Sequence, residues 1–299
     1  MSSTYRYFII FITSLLLTDI GTAALAAQKI KVVATLTFLE DFVKNVGGDR
    51  VEVKSLLSGL ESEHTYTPKP SDIVAVKEAT MLVKVGLGLE VWVDSLIKNA
   101  SNNKIVIVTT SEGISLLKSE ETDHDGHEAH SGNPHIWLDP EMAKVMIRHI
   151  TDTLSKIDPE GRGFYLSNQT NYFSRIDAMD KRIEEKLGHI QNKKIIAHHP
   201  AWPYFAERFK LQIADNIQTQ VGAEPSARHI ADIISKVKRE NIRAIISEPQ
   251  LNPKVPRVIA EETGARIVIL TPIPGGVPGT GTYIEMMEYI GEQLATALR

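Results

Sequence analysis

Seven short runs rich in β-branched residues recur along this chain: 29–35 (KIKVVAT), 51–57 (VEVKSLL), 81–86 (MLVKVG), 104–110 (KIVIVTT), 194–197 (KIIA), 243–247 (RAIIS) and 266–271 (RIVILT). Segments of helical period separate most of them, an alternation that leads to βα units around parallel sheets. The runs fall into one set before residue 111 and another after 193, so the expected fold is α/β with two lobes, each a parallel sheet flanked by helices.

Between the sets lies 168–191 (NQTNYFSRIDAMDKRIEEKLGHIQ), where Tyr172, Ile176, Met179, Ile183, Leu187 and Ile190 repeat at steps of three and four. That spacing puts an apolar stripe on one helix face. The stretch has no Gly or Pro before Gly188. A helix of about 24 residues is about 36 Å long, enough to run the length of a small domain and join two lobes rigidly. The expected organisation is an N-terminal lobe at 27–163, a linking helix at 164–190 and a C-terminal lobe at 191–299.

The first residues carry one basic side chain, Arg6, then the apolar run YFIIFITSLLL and the small residues AALAA. This pattern predicts a signal peptide over 1–26, cleaved near Ala26, and a mature chain exported to the periplasm. There is no cysteine, hence no disulfide and no lipid-modified thiol after the signal. A formal net charge of -4 supplies no basic footprint for nucleic acid. The mature protein is expected to be a monomer.

In open α/β sheets, ligands gather beyond the carboxyl ends of the strands. Among the loops in those positions, ESEHTYTPKPSD after the second run carries His64, and HHPAWPYF after KIIA carries His198 and His199. NPHIWLDP places His135 beside Trp137. Three histidines from separate loops can meet between two lobes, and neutral imidazole is a preferred ligand of zinc and the later first-row metals. Spacing alone leaves open whether they meet or are separate packed or solvated rings.

The segments HTYTPKPSD, VGLGLEVWVDSL, NPHIWLDP, AHHPAWPYFAERF, SEPQLNPK and AEETGARIVIL, in that order, resemble the zinc- and manganese-binding solute-binding proteins of ABC importers, the cluster A-I family. The resemblance covers nearly all of the mature chain. It implies two α/β lobes that clasp a divalent metal and deliver it to a membrane permease, with His64, His135 and His199 as metal ligands. It also favours His199 over His198, because the family places its ligand six residues before the position of Phe205. A third imidazole, where manganese-binding members often have Glu, favours Zn²⁺ over Mn²⁺.

The resemblance breaks at the fourth ligand. Many members supply Asp just after the last strand, where this chain has Pro272. Water, Glu63 and Glu248 are the alternatives. Water is preferred, since a side chain next to His64 in a short loop need not point the same way; Glu248 is read first as an acceptor for a ligand imidazole.

The tract ETDHDGHEAHSGN holds His124, His127 and His130 among acidic residues, and is expected to be a loop that binds metal weakly. Enzymatic readings fare worse. HEAH is not the H-E-x-x-H of a zinc protease, the glycines at 86 and 88 form no phosphate loop, and neither G-x-S-x-G nor a Cys nucleophile occurs. The chain is therefore read as a binding protein and not an enzyme, with a secreted three-His zinc hydrolase as the alternative from another class.

Overall fold

The computed structural model describes residues 29–117, 132–219 and 222–299. The signal segment and the tract with His124, His127 and His130 lie outside these residues. Two four-stranded parallel sheets form the framework.

The first sheet contains β1 (Ile30–Ala34), β2 (Val51–Ser55), β3 (Met81–Lys84) and β4 (Val106–Thr109) in the order β2-β1-β3-β4. Helices α1 (Thr37–Gly47), α2 (Pro70–Glu78) and α3 (Val93–Ala100) connect them. After β4 the chain forms α4 (Pro140–Ile157), whose start is set by Pro140 at the first turn and by the Asp139 carboxylate, which accepts from the Glu141 amide. Next comes α5 (Arg162–Gly188), the long joining helix.

The second sheet contains β5 (Lys194–Ala197), β6 (Gln212–Asn216), β7 (Ala244–Ser247) and β8 (Arg266–Ile269), in the equivalent order β6-β5-β7-β8. Its connections are α6 (Pro203–Phe209), α7 (Ala227–Glu240) and α8 (Lys254–Thr263). Finally α9 (Tyr283–Leu298) begins at a capping box formed by Thr282 and Glu285. Among the described residues, no helix is long and apolar enough to cross a membrane.

Strand β6, with the sequence QIADN, was not expected, because it lacks the β-branched run that marks the others. It is an edge strand with no fully buried residue, so its polar side chains need no apolar face. The joining helix starts before the expected stretch, and its buried residues Tyr172, Ile176, Met179, Ile183 and Leu187 follow the stripe seen in the sequence. Tyr165 extends that stripe toward the N-terminus.

Period-two alternation sorts the second sheet. Ile195, Ala197, Ala244 and Ile246 point into the main core, whereas Ile196 and Ile245 point into a smaller one with Ile233 and Val237 of α7 and Ile259 of α8. The main core also takes in β1, β3, α1, α4, α5 and α9, so it runs uninterrupted from one sheet to the other. At its centre Trp137 stacks on Phe38 with ring centroids 4.5 Å apart. Its indole N–H donates to the Pro272 carbonyl at 2.6 Å, and its own carbonyl accepts from the Tyr283 hydroxyl at 2.7 Å.

The joining helix is held on both sides. Arg182 and Lys186 pair with Glu288 and Glu292 of α9, and Gly291 lets α9 approach so closely that a Cβ there would lie 3.0 Å from Ile183 Cγ1. On the side of α1, the Asp41 carboxylate accepts from the Tyr172 hydroxyl at 2.7 Å and from the Tyr283 amide at 3.1 Å. Burial pushes the Asp41 carboxyl up from its ordinary range, and these donors pull it back. Replacing Asp41 with Ala leaves a buried hydroxyl and a buried amide without an acceptor, so a loss of roughly 2–4 kcal/mol is expected. Asp41→Asn, which keeps an acceptor, should lose less. Urea unfolding of both variants checks the order, and equal losses would assign the effect to charge.

Candidate metal centre

Four side chains meet in the cleft between the two sheets. His64 and Glu63 lie in the loop between β2 and α2, and His135 lies in the segment between β4 and α4. His199 follows β5 by two residues. All three stretches lie beyond the carboxyl ends of strands, where the twisted sheet opens a crevice. His64 Nε2 and His135 Nε2 are 3.3 Å apart, and His135 Nε2 and His199 Nε2 are 3.4 Å apart. Glu63 Oε1 lies 3.5 Å from His135 Nε2 and 3.8 Å from His64 Nε2. One donor atom from each of the four falls within 4.8 Å of the others.

Those spacings suit one small cation. A tetrahedral zinc with bonds of about 2.0–2.1 Å separates neighbouring donor atoms by about 3.3 Å. Among the described residues, Glu63 Oε1 is buried and has no hydrogen-bond partner. A buried carboxylate oxygen in that state is costly unless a cation compensates it.

Partners behind the rings set their orientation. The Asn133 side-chain oxygen, an acceptor only, takes a bond from His135 Nδ1 at 3.0 Å and from the His135 amide at 3.0 Å. Glu248 Oε1 accepts from His199 Nδ1 at 2.8 Å and from the Trp202 indole at 3.2 Å. With the proton held on Nδ1, the Nε2 lone pair of each ring is turned toward the cluster. Burial pushes His64 down to about 3; the Glu63 carboxylate opposes that shift, and His135 and His199 add to it. Burial, with His199 beside it, also holds His135 well below the ordinary imidazole range. Both rings are thus neutral at physiological pH, the form that coordinates a metal.

His198 takes no part in the cluster: its Nδ1 accepts from the Glu248 amide at 3.3 Å. Glu248 itself faces His199, as an acceptor behind the ring. The loop after β8 contributes no side chain, because Pro272 offers only its carbonyl, which Trp137 occupies. The Glu63 carboxylate does turn the same way as His64, with its Oε1 in the cluster. The Trp92 indole fixes this part of the loop by donating to the Glu63 carbonyl at 3.0 Å. Asn133 escaped the sequence reading, although its place two residues before His135 in N-P-H was a usable sign.

The chain matches, over residues 32–297, the family model described as ZnuA, zinc-uptake complex component A, periplasmic. It belongs to that family. The high-affinity zinc uptake system protein ZnuA of Bacillus subtilis (strain 168) is 28% identical over 261 residues, covering 85% of this chain and 82% of the relative. The zinc-binding protein AdcA of Streptococcus pyogenes serotype M6 (strain ATCC BAA-946 / MGAS10394) is 30% identical over 268 residues, which are 84% of this chain and 52% of that longer protein. Among solved structures, a crystal structure of ZnuA superposes with a TM-score of 0.81 at 27% identity, covering 91% of this chain and 100% of that one. The periplasmic zinc binding protein TroA from Treponema pallidum, at 21% identity and a TM-score of 0.79, shares the fold, with 90% of this chain and 99% of that one covered.

The acceptor behind His199 provides a test of this ZnuA-family site. Glu248→Ala is expected to weaken zinc binding about 10–100-fold while one ion per chain is still taken up. Calorimetric titration checks it, and an unchanged affinity would mean that the His199 ring needs no such support.

Proposed function

We propose that this chain captures one zinc ion between its two halves and hands it to the membrane permease of an ATP-driven importer. His64, His135 and His199 bind through Nε2, and Glu63 supplies a carboxylate oxygen as the fourth ligand. The lobes at 27–163 and 191–299 form the clasp, with 164–190 between them, and the protein works as an exported, periplasmic monomer. The observation that carries the reading is the meeting of three imidazole nitrogens with a buried carboxylate oxygen that has no hydrogen-bond partner among the described residues.

Three nitrogen donors and one oxygen suit zinc better than manganese, which prefers a harder, oxygen-rich set. With Glu63 in place, all four tetrahedral positions are filled. No position is left for the exchangeable water that a catalytic zinc requires, which supports binding and release over hydrolysis. The charge balance fits as well: Glu63 in the cluster and Glu248 behind His199 set two carboxylates against the two positive charges of Zn²⁺.

Removing any one of the three imidazoles deletes a primary bond, so His64→Ala, His135→Ala and His199→Ala should each lower zinc affinity at least about tenfold. Competition against a chelator of known affinity measures this, and a variant that binds as tightly as the parent removes its residue from the ligand set. Glu63→Gln should weaken zinc clearly in the same assay. An unchanged value there would return the fourth position to water. In parallel titrations the parent should take up zinc in preference to manganese.

A further inference from the structure

Two of the four donors, Glu63 and His64, ride on one irregular loop that joins β2 to α2. His135 and His199 sit on segments that are tied to each other across the cleft. The Asn133 amide donates to the Pro200 carbonyl at 2.5 Å, and the Tyr204 hydroxyl to the Asn133 carbonyl at 2.8 Å. The half of the cage able to move is therefore the Glu63–His64 half. His64 is also the donor nearest solvent: its side chain is 16% exposed, against 3% for Glu63, 2% for His135 and 5% for His199.

The tip of that loop crosses the second half of the molecule with backbone against backbone. Gly59 has φ of +98° and Gly275, in the turn after β8, has φ of +91°. A Cβ on Gly59 would lie 2.3 Å from the Pro274 carbonyl oxygen, and one on Gly275 would lie 2.6 Å from the Ser58 carbonyl oxygen. Both positions need glycine for conformation and for space. The crossing is pinned by Gln250, from the loop after β7, whose Nε2 donates to the Gly59 carbonyl at 2.6 Å and to Thr271 Oγ1 at 3.1 Å.

From this arrangement we infer that Gln250 is a positioning residue for metal retention. It touches none of the four donors. Its amide latches the loop tip to the opposite half, four residues before Glu63, so that Glu63 and His64 stay turned into the cleft. When the latch is made, the loop is held at both ends, by Gln250 at the tip and by the Trp92 indole at the base. When it is broken the tip is freed, and the cage opens on its solvent side. The latch thus sets how fast zinc leaves and has little influence on how fast it arrives, since the encounter needs only an open cleft.

This inference rests on the proposed ligand set, and its test separates the two. Gln250→Met keeps the length and volume of the side chain and removes the donor. With zinc alone as the probe, stopped-flow transfer to a chelator should show release accelerated on the order of fivefold to tenfold, the worth of one buried hydrogen bond. Association should stay within about twofold, with one ion per chain. Gly59→Ala, which disturbs the same crossing from the other strand, should accelerate release in the same direction. Because Gln250 acts through His64 as well as Glu63, combining Gln250→Met with His64→Ala should accelerate release by less than the product of the two separate effects.

Release from well-folded Gln250→Met at the parental rate would overturn the latch. So would full additivity with His64→Ala, or a fall in melting temperature of the metal-free protein that by itself accounts for the faster release. Failure of the parent protein to take up zinc would instead overturn the ligand set, and the latch with it.

Discussion

Electron-pair donors crowded together away from water repel one another, and that repulsion is the constraint on which the rest of this structure depends. Three imidazole nitrogens and a carboxylate oxygen within 4.8 Å can be assembled only by a scaffold that holds each of them against its tendency to move apart. The supports are correspondingly dense: Asn133 behind His135, Glu248 and Trp202 behind His199, and Trp92 against the backbone of Glu63. Each support is a hydrogen bond made out of contact with bulk water, where an unmade bond is expensive. The energy that would scatter the donors is thereby returned when a divalent cation enters.

The scaffold can carry that load because the two sheets share a core. Phe38, Trp137 and Tyr283 are fully buried where the halves join, and Tyr283 bonds to both Asp41 and Trp137. Swinging the halves apart would expose these three rings. At roughly 150–250 Å² each and about 25 cal/mol per Å², that costs on the order of 11–19 kcal/mol, comparable to the whole stability of an ordinary domain. The joining helix adds its paired charges with α9 on the outside. Two halves built this way act as one body, and movement is left to the loops.

How much of this could be read from the sequence depends on how local the signal is. The buried strands announced themselves because both faces of a parallel sheet demand β-branched residues, as Ile195, Ile196, Ile245 and Ile246 illustrate. The joining helix did so through the stripe from Tyr172 to Leu187. Edge strand β6 was silent, since Gln212, Asp215 and Asn216 face no core. Among the residues of the candidate site, His64, His135 and His199 could be picked out from their places after strands and from family resemblance, and Glu248 from its place after β7. The direction of Glu63 was not legible, because in an irregular loop no period relates one side chain to the next. Asn133 and Gln250 were also hidden, as each acts through a bond to a residue far away in the chain or to a neighbouring ring.

The shared core has a consequence for how a partner could tell the charged protein from the uncharged one. If the halves do not swing, the outline offered to a membrane transporter is nearly the same with or without cargo, and shape is a poor signal. What differs is the potential at the mouth of the cleft: two positive charges arrive beside the carboxylates of Glu63 and Glu248, within a chain whose formal net charge is -4. In a recess with low-dielectric walls, such a change of charge is felt several ångströms beyond the surface. Discrimination would then be electrostatic, sensitive to ionic strength, and would need no large conformational change.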